Sequence, residues 1–283
     1  MTTRYVALFG DPVEGNPTAA MQNAAFRAAG LDWWYIDVRV APPDLGDAVR
    51  ASRVLGFGGL NLTIPHKVAV LPFLDALEPS AAIAGAVNTV RRDTDGRLIG
   101  LNTDGIGFLR SVVEAGVDPR GLTAVLLGAG GAARAVAVEL ALAGARRIVV
   151  VNRSAPTRDA LARLVRERTD ADAEALAWDG VLVPPACDLV VDCTPIGMGT
   201  GASATAVPPV DLAALPAGRL VCDLNPERSD TPFLAAARAA GHRTLSGLPM
   251  VARQGAAGFT AWTGEPAPLE VMIAALEARV AEG

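Results

Sequence analysis

The stretch DPRGLTAVLLGAGGAARAVAVELALAGARRIVVVNRS, residues 118–154, decides the fold of half of this chain. It contains an apolar strand (123–127), a glycine-rich turn, an alanine-rich helix and a second apolar strand, which together make one βαβ unit. The turn GAGGAA (128–133) fits the pattern G-x-G-x-x-A and lies directly between strand and helix. That context predicts a dinucleotide site. A purely structural turn and an adenosyl-methionine pocket are the alternatives.

Each small residue of this turn has a physical reason to be small. Gly128 permits the tight reversal, Gly130 lets the backbone approach a pyrophosphate, and Ala133 allows the helix to pack closely on the strand. The phosphates would then lie on free N–H groups at the N-terminus of the helix.

The end of the second strand indicates which dinucleotide binds. NAD and adenosyl-methionine sites usually carry an acidic residue there for the ribose hydroxyls, whereas this chain has Asn152 and Arg153, with Arg158 nearby. An arginine suits a 2′-phosphate and cannot accept a hydrogen bond from a hydroxyl. The pattern therefore favours NADP, the alternative being two solvated arginines.

Composition excludes several classes of protein. The 283 residues are 51% hydrophobic and 19% charged, with a net charge of −5, and the basic residues are scattered, which argues against nucleic acid or an anionic membrane as partner. No apolar stretch of membrane-spanning length and no signal peptide is evident, so we expect a cytoplasmic protein. Three cysteines without CxxC spacing and two histidines predict no metal site. The expected partner is a small molecule, and the expected assembly is a monomer or homodimer.

The first hundred residues alternate strand and helix signals, which predicts a mostly parallel sheet covered by helices. The predicted strands are 5–10, 33–40 and 59–64, the predicted helices are 18–30, 43–56 and 65–77, and a hairpin is predicted around DTDG (93–96). Later strands are predicted at 188–193 and 219–224, and later helices at 231–240, 248–262 and 267–283. The fold class is therefore α/β, with two domains that divide near residue 104.

A polar set interrupts the segment GGLNLTIPHKVAV (58–70). Strand periodicity assigns Leu60, Leu62 and Ile64 to the core. It assigns Asn61 and Thr63 to the opposite face. Pro65 fits the first helical position, so Lys67 falls in the first turn, where a cation opposes the helix dipole. Helix stability therefore does not explain Lys67, and a solvated lysine is the alternative to a functional one.

Two further stretches supply polar residues at strand ends. AGAVNTV contains Asn88, and GLNTDGIG contains Asn102 and Asp104. Asp104 could simply cap the next helix. However, both Lys67 and Asp104 follow strands, and open α/β sheets place their ligands at the carboxyl ends of strands.

The stretches GLNLTIPHK, AGAVNTV, LNTDGIG, LLGAGGAAR, VNRS and GLPMVARQGA resemble, in order, the motif set of the shikimate and quinate/shikimate dehydrogenase family. The resemblance covers about residues 5 to 265. It implies a substrate-binding α/β domain (1–103 and 244–283) around a Rossmann-type NADP-binding domain (104–243). It also implies reversible, NADP-dependent reduction of 3-dehydroshikimate to shikimate, a step of chorismate and aromatic amino acid biosynthesis.

The resemblance assigns roles to individual positions. Lys67 matches the catalytic lysine of the family and Asp104 its paired aspartate. The residues that match substrate-binding groups are Asn16, Thr18, Asn61, Thr63, Asn88, Asp104 and Gln254. The residues that match the cofactor loops, together with nearby Arg158, are Gly128, Ala129, Gly130, Gly131, Ala132, Asn152, Arg153, Ser154, Gly247 and Met250.

Two positions depart from the family pattern. The substrate loop usually reads SxSP, and here NPTA places Asn16 and Thr18 at the serine positions. A tyrosine that often follows a late strand is replaced by Pro226. Both changes concern substrate fit, so quinate and an amino analogue of shikimate are alternative substrates. A non-catalytic NADP(H)-binding regulator is the alternative of another class.

Overall fold

The computed structural model describes residues 3–199, 201–226 and 228–282. The chain divides into two compact units, Met1–Gly107 with Ala252–Gly283, and Phe108–Val251. Residues 1, 2 and 283 of the predicted substrate domain lie outside the described residues.

The first unit contains a six-stranded mixed sheet. Its strands are β1 Arg4–Gly10, β2 Trp33–Arg39, β3 Gly59–Leu62, β4 Ala76–Leu77, β5 Thr89–Arg92 and β6 Leu98–Leu101. They lie in the order β2-β1-β3-β5-β6-β4, with β1 parallel to both of its neighbours and β5 antiparallel to both of its own. The hairpin predicted around 93–96 is confirmed as β5 and β6.

Five helices begin within residues 3–107. They are α1 Thr18–Ala28, α2 Leu45–Val54, α3 His66–Ala69, α4 Pro79–Ala84 and α5 Thr103–Glu114. The prediction of one helix over 65–77 is wrong, because α3 is a single turn and a 3₁₀ turn at Leu71–Phe73 follows it. Pro72 explains the break, since it has no N–H to donate and its ring clashes with the preceding turn.

The strand predicted over 59–64 is two residues shorter in the structure. After Leu62 the chain turns, with the Thr63 amide bonded to the Phe9 carbonyl and the His66 amide bonded to the Thr63 carbonyl. Strand periodicity therefore ends at Leu62, and Ile64 is 73% exposed. The prediction that Ile64 belongs to the core is wrong.

The second unit is a doubly wound parallel sheet. Its strands are β7 Thr123–Leu127, β8 Arg147–Asn152, β9 Asp172–Ala177, β10 Leu189–Asp192, β11 Leu220–Asp223 and β12 Arg243–Leu245, and its helices are α6 Gly131–Leu142, α7 Ala155–Arg168 and α8 Pro232–Ala239. The strand order is β12-β11-β10-β7-β8-β9, so the winding reverses between β7 and β10. A ligand crevice is expected at such a switch point.

Two helices close the chain, α9 Leu248–Thr263 and α10 Leu269–Glu282. The C-terminal part of α9 is fixed to the first unit: the Gln22 side chain donates to the Gly255 carbonyl (2.8 Å), and the Trp262 indole donates to the Val90 carbonyl (2.9 Å). In the described part of the chain, no helix combines the length and apolar character needed to cross a membrane.

Candidate active site

One cavity in the first unit gathers polar side chains from several elements. It is lined by Leu8, Asn16, Thr18, Tyr35, Asn61, Leu62, Thr63, Lys67, Asn88, Asp104 and Gln254. Every residue that the sequence analysis assigned to catalysis or substrate binding is in this set. Tyr35 was not predicted.

Lys67 and Asp104 form an ion pair in this cavity. The distance from Lys67 Nζ to Asp104 Oδ2 is 2.7 Å, and the two side chains are 31% and 14% exposed. Asp104 lies in the first turn of α5, where free N–H groups favour a carboxylate. It is not the cap of that helix, because Asn102 precedes the helix and its Oδ1 accepts from the Gly105 amide at 3.5 Å. The pairing also disfavours the alternative of a solvated lysine.

Lys67 is the single lysine of the whole chain. Of the 25 basic side chains, the other 24 are arginines. An arginine stays protonated at any ordinary pH, whereas a lysine can release and regain a proton. The one lysine thus occupies a cavity position where proton transfer is chemically useful. The presence of a single lysine is visible in the sequence, but the motifs that indicated Lys67 do not depend on it.

Asn88 connects Asp104 to α9. Its Oδ1 accepts from the Thr103 backbone amide at 2.7 Å, and because a backbone N–H can only donate, this contact fixes the orientation of the Asn88 amide. Its Nδ2 then donates to Asp104 Oδ1 (2.8 Å) and to Gln254 Oε1 (3.1 Å). As a result, Gln254 presents its Nε2 group to the cavity, where no described residue accepts from it.

Asn16 and Thr18 occupy another part of the lining. Asn16 Oδ1 accepts from the Thr18 amide at 2.9 Å, which leaves the Asn16 Nδ2 group and the Thr18 hydroxyl as the polar atoms at this position. The motif NPT thus presents an amide donor and one hydroxyl where the resembling family usually has two serines.

A second cavity lies in the second unit at the switch point of the sheet. It is lined by Gly128, Ala129, Gly130, Asn152, Arg153, Trp178, Cys193, Thr194, Pro195 and Ile196. These residues follow β7, β8, β9 and β10, so four carboxyl ends of strands contribute to one space. Gly131 and Ala132 belong to the first turn of α6, and Ser154 is the N-cap residue of α7.

The structure gives the two glycines of the turn different roles. Gly128 has φ of +101°, a conformation that strongly favours glycine. Gly130 has φ of −80°, and a Cβ placed there would meet no atom within 4 Å. The fold of the described chain therefore does not require glycine at position 130, whereas the close approach of a phosphate to the backbone would.

The two arginines near the end of β8 differ. Arg153 is exposed and has no hydrogen bond or ion pair with any described residue. Arg158 is half-buried, donates to the Asn152 carbonyl (3.3 Å) and pairs with Asp159 (3.2 Å), and it is not in the cavity lining. Asn152 Nδ2 donates a hydrogen bond to Thr157 Oγ1 at 2.7 Å. Among the described residues that line this cavity, Arg153 is thus the cation without an internal partner.

A third cavity of about 370 Å³ shares Arg153, Trp178 and Ile196 with the second one and extends to Val181 and Pro209. The Trp178 indole N–H is directed to the Pro209 carbonyl (3.4 Å), so an apolar aromatic wall borders both spaces. The sequence analysis did not identify Trp178, because it follows β9, a strand that carries no motif.

Gly247 and Met250 do not line any of these three cavities. A Cβ at Gly247 would lie 2.5 Å from the Asn225 carbonyl oxygen, so close packing alone explains this glycine. Met250 is 9% exposed and belongs to the core of the second unit. Within residues 3–199, 201–226 and 228–282, no group of three His, Cys, Asp or Glu side chains is arranged to hold a metal ion.

Asp192, at the end of β10, is a buried carboxyl in the second unit. Its Oδ1 accepts from the Thr194 amide (2.9 Å), whereas Oδ2 is buried without a hydrogen-bond partner. Burial, with a smaller contribution from Asp223, raises the pKa of Asp192 to about 7 against the lowering effect of hydrogen bonds from Thr194. The carboxyl is therefore largely protonated below neutral pH.

Comparisons with known proteins agree with this geometry. The family description "Shikimate dehydrogenase substrate binding domain" matches residues 8–90, and "Shikimate 5'-dehydrogenase C-terminal domain" matches residues 247–277. The chain is 45% identical to the shikimate dehydrogenase (NADP(+)) of Desulforamulus reducens, over 99% of this chain and 97% of that protein.

Two solved structures are also similar. Ligand-free 5-ketofructose reductase of Gluconobacter sp. has a TM-score of 0.93 and 42% identity, over 98% of this chain and 99% of that one. Shikimate 5-dehydrogenase of Thermus thermophilus, in complex with NADP(H) and shikimate, has a TM-score of 0.84 and 33% identity, over 98% and 99% of the two chains. On this similarity and on the cavity around Lys67 and Asp104, the chain belongs to the shikimate dehydrogenase family.

Proposed function

We propose that this chain catalyses the reversible, NADP-dependent reduction of 3-dehydroshikimate to shikimate, in chorismate and aromatic amino acid biosynthesis. The single observation that carries the proposal is the ion pair between Asp104 and Lys67, the only lysine of the chain, inside a cavity lined by amides and hydroxyls. The curated relatives of nearly equal length that bear the name shikimate dehydrogenase (NADP(+)) support it.

Lys67 is suited to move the proton of the reaction. As the substrate carbonyl becomes an alkoxide, the Lys67 ammonium donates a proton to that oxygen, and in the oxidative direction neutral Lys67 takes it back. Asp104 holds the Lys67 nitrogen at 2.7 Å and is itself held by Asn88. General acid–base catalysis of this kind contributes roughly 10²–10⁴-fold to the rate.

The residues of the second unit fit NADP. The open space above Gly130 and the free N–H groups of the first turn of α6 would hold the pyrophosphate, and Arg153 would pair with the 2′-phosphate. NADP, when bound, supplies or accepts the hydride. Arg158 has internal partners, so its predicted contact with the cofactor stays a prediction, as do the contacts of Gly247 and Met250.

The experiment that tests this function is a panel of substrates and cofactors. Shikimate, quinate, aminoshikimate and 5-ketofructose would each be assayed with NADP(H) and NAD(H) by absorbance of the reduced nicotinamide. We expect the highest kcat/KM for shikimate with NADP. A chain that oxidises quinate or aminoshikimate best would identify one of the alternative substrates, and no turnover with any of them would favour the non-catalytic NADP(H)-binding regulator.

A second candidate function is the reduction of a neutral keto-sugar. The similarity to 5-ketofructose reductase, at 42% identity, favours it. In addition, Lys67 is the only cation among the described residues of the cavity lining, and Asp104 neutralises it. Asn16 and Thr18 also depart from the two serines that the family pattern has for a carboxylate, and present an amide donor and one hydroxyl there.

Replacement of the NPT motif distinguishes the two candidates. The double substitution Asn16→Ser and Thr18→Ser restores the hydroxyl pair that the family pattern predicts for a carboxylate. If the native substrate is shikimate, this variant should keep kcat/KM for shikimate within a few-fold. If the native substrate is a neutral keto-sugar, kcat/KM should fall for 5-ketofructose and rise for shikimate.

A cytoplasmic location stays a prediction of the sequence, to be tested by fractionation.

A further inference from the structure

Tyr35 is a buried phenol in the lining of the substrate cavity that the proposed function does not use. Its side chain is on β2 and is 2% exposed. Its hydroxyl donates to Asn61 Oδ1 at 2.7 Å. Burial, with a smaller contribution from Asp37, raises the pKa of Tyr35 well above its ordinary value, so the phenol keeps its proton and remains a donor.

Asn61 has both of its amide hydrogens committed to the protein. Its Nδ2 donates to the Asn88 backbone carbonyl (2.9 Å) and to Thr89 Oγ1 (2.8 Å). A carbonyl oxygen can only accept, so this atom is the nitrogen, and the other atom, Oδ1, must accept from Tyr35. Asn61 therefore has no free N–H for a substrate and could contact one only through a lone pair of Oδ1.

The chain of hydrogen bonds continues through two threonine hydroxyls. Thr89 Oγ1 accepts from Asn61 Nδ2 and lies 2.9 Å from Thr103 Oγ1, a contact in which either hydroxyl can donate. Thr103 Oγ1 in turn has two acceptors within reach, Asn88 Oδ1 (3.2 Å) and Gln254 Oε1 (3.3 Å). A continuous chain of hydrogen bonds therefore connects the phenol, through the Asn61 amide and two hydroxyls, to the amides of Asn88 and Gln254.

We propose that Tyr35 is a positioning residue for substrate binding, an inference that rests on the proposed function of this cavity. Tyr35 supplies the donor to Asn61 Oδ1, and the two threonines connect Asn61 to the amide of Gln254. Because networks of this kind are cooperative, loss of the first donor loosens the last group.

The test is the substitution Tyr35→Phe, which removes one oxygen and keeps the ring. We expect KM for the substrate to rise about 5–20-fold, while kcat and KM for NADP change less than about 2-fold, since the lost interaction belongs to ground-state binding. The matched control is Tyr5→Phe at the other tyrosine of the chain, which is 42% exposed and whose ring lies 6.1 Å from that of Phe57. It should change none of these constants.

A double-mutant cycle with Thr89→Val separates positioning from a general loss of stability. Thr89 does not line the cavity, so a shared effect on KM must pass through the network. In the Thr89→Val background, Tyr35→Phe should change KM less than about 2-fold. The proposal would be overturned if the effects of Tyr35→Phe and Thr89→Val on KM simply multiply in the double variant. It would also be overturned by a folded Tyr35→Phe enzyme with unchanged KM.

The proposed function and the positioning role fail in different ways. A wild-type chain that turns over none of the panel substrates refutes the function without any variant. In that case calorimetric Kd values for the same ligands replace KM, and an equal Kd for wild type and Tyr35→Phe still refutes the positioning role.

Discussion

The two functional regions of this chain are built in opposite ways. The substrate cavity of the first unit is a network of side chains in which backbone groups fix the orientations of Asn61 and Asn88. The cofactor cavity of the second unit depends on the backbone of a glycine turn, the N-terminus of α6 and the side chain of Arg153, which pairs with no described residue. One region is preorganised by internal hydrogen bonds, and the other keeps its polar groups free.

This difference has a consequence for substitutions. In the first region, a change at one residue leaves buried partners unsatisfied, so its effect reaches several groups at once. In the second region, individual side chains have few partners to lose. Most substitutions there should be tolerated, and the sensitive positions should be those where a phosphate approaches the chain.

The largest expected effect is that of Lys67→Ala. The variant keeps the second region intact but lacks the group that transfers the proton, so kcat should fall roughly 10²–10⁴-fold. The Kd for NADP, measured by titration of protein fluorescence, should stay within a few-fold of wild type. If turnover is nearly unchanged, Lys67 is not the proton donor.

Gly130→Ala tests the backbone-built region. Since a Cβ at position 130 meets no atom within 4 Å, the melting temperature should stay within a few degrees of wild type. The KM for NADP should rise at least about 10-fold, because the methyl group blocks the approach of the pyrophosphate. Gly128→Ala is the matched control: its positive φ predicts a loss of stability as well. Unchanged KM in Gly130→Ala would leave the turn with a structural role only.

Arg153→Ser tests the choice of cofactor. Loss of a charge-assisted contact with the 2′-phosphate should lower kcat/KM for NADP by about 10-fold and leave kcat/KM for NAD nearly constant. Arg158→Ser removes an arginine that already has internal partners, so its effect should be smaller. Equal losses with NADP and NAD would show that Arg153 does not read the 2′-phosphate.

Asp192→Asn should change stability and not catalysis. In the unfolded chain the Asp192 carboxyl ionises near pH 4, whereas in the folded protein its pKa is raised to about 7. Between these pH values the folded protein binds the extra proton, so the free energy of unfolding falls as pH rises. The variant lacks this penalty and should be more stable than wild type at pH 8 by roughly 1–4 kcal/mol, with little difference below pH 4. Urea unfolding at both pH values measures it. If the variant and the wild type differ in free energy of unfolding by the same amount at both pH values, Asp192 does not titrate as described.

The sequence predicted much of the second unit because its signals are local. The glycine turn, the alanine-rich helix and the apolar strands lie within residues 118–154, and their order alone indicates the fold. The segments without such signals were missed, among them β9, α7 and Trp178. The error over 65–77 also has a local cause, since Pro72 ends a pattern that apolar spacing would have continued.

The substrate cavity was predictable only in part. The resemblance to a family indicated Lys67 and Asp104, but spacing could not show that they meet, because they come from separate elements. Tyr35 and Thr103 carry no sequence signal, since each becomes significant only through hydrogen bonds to residues far along the chain. Sequence periodicity does not predict tertiary contacts of this kind.

The most direct test of the account is the turnover of Lys67→Arg. This substitution keeps a cation that can pair with Asp104, and it conforms to the 24 other basic positions of the chain, but a guanidinium does not release its proton. If proton transfer is the role of Lys67, kcat should fall at least about 100-fold while NADP binding is retained. A Lys67→Arg enzyme with kcat close to wild type would contradict the account, because charge alone would then be sufficient.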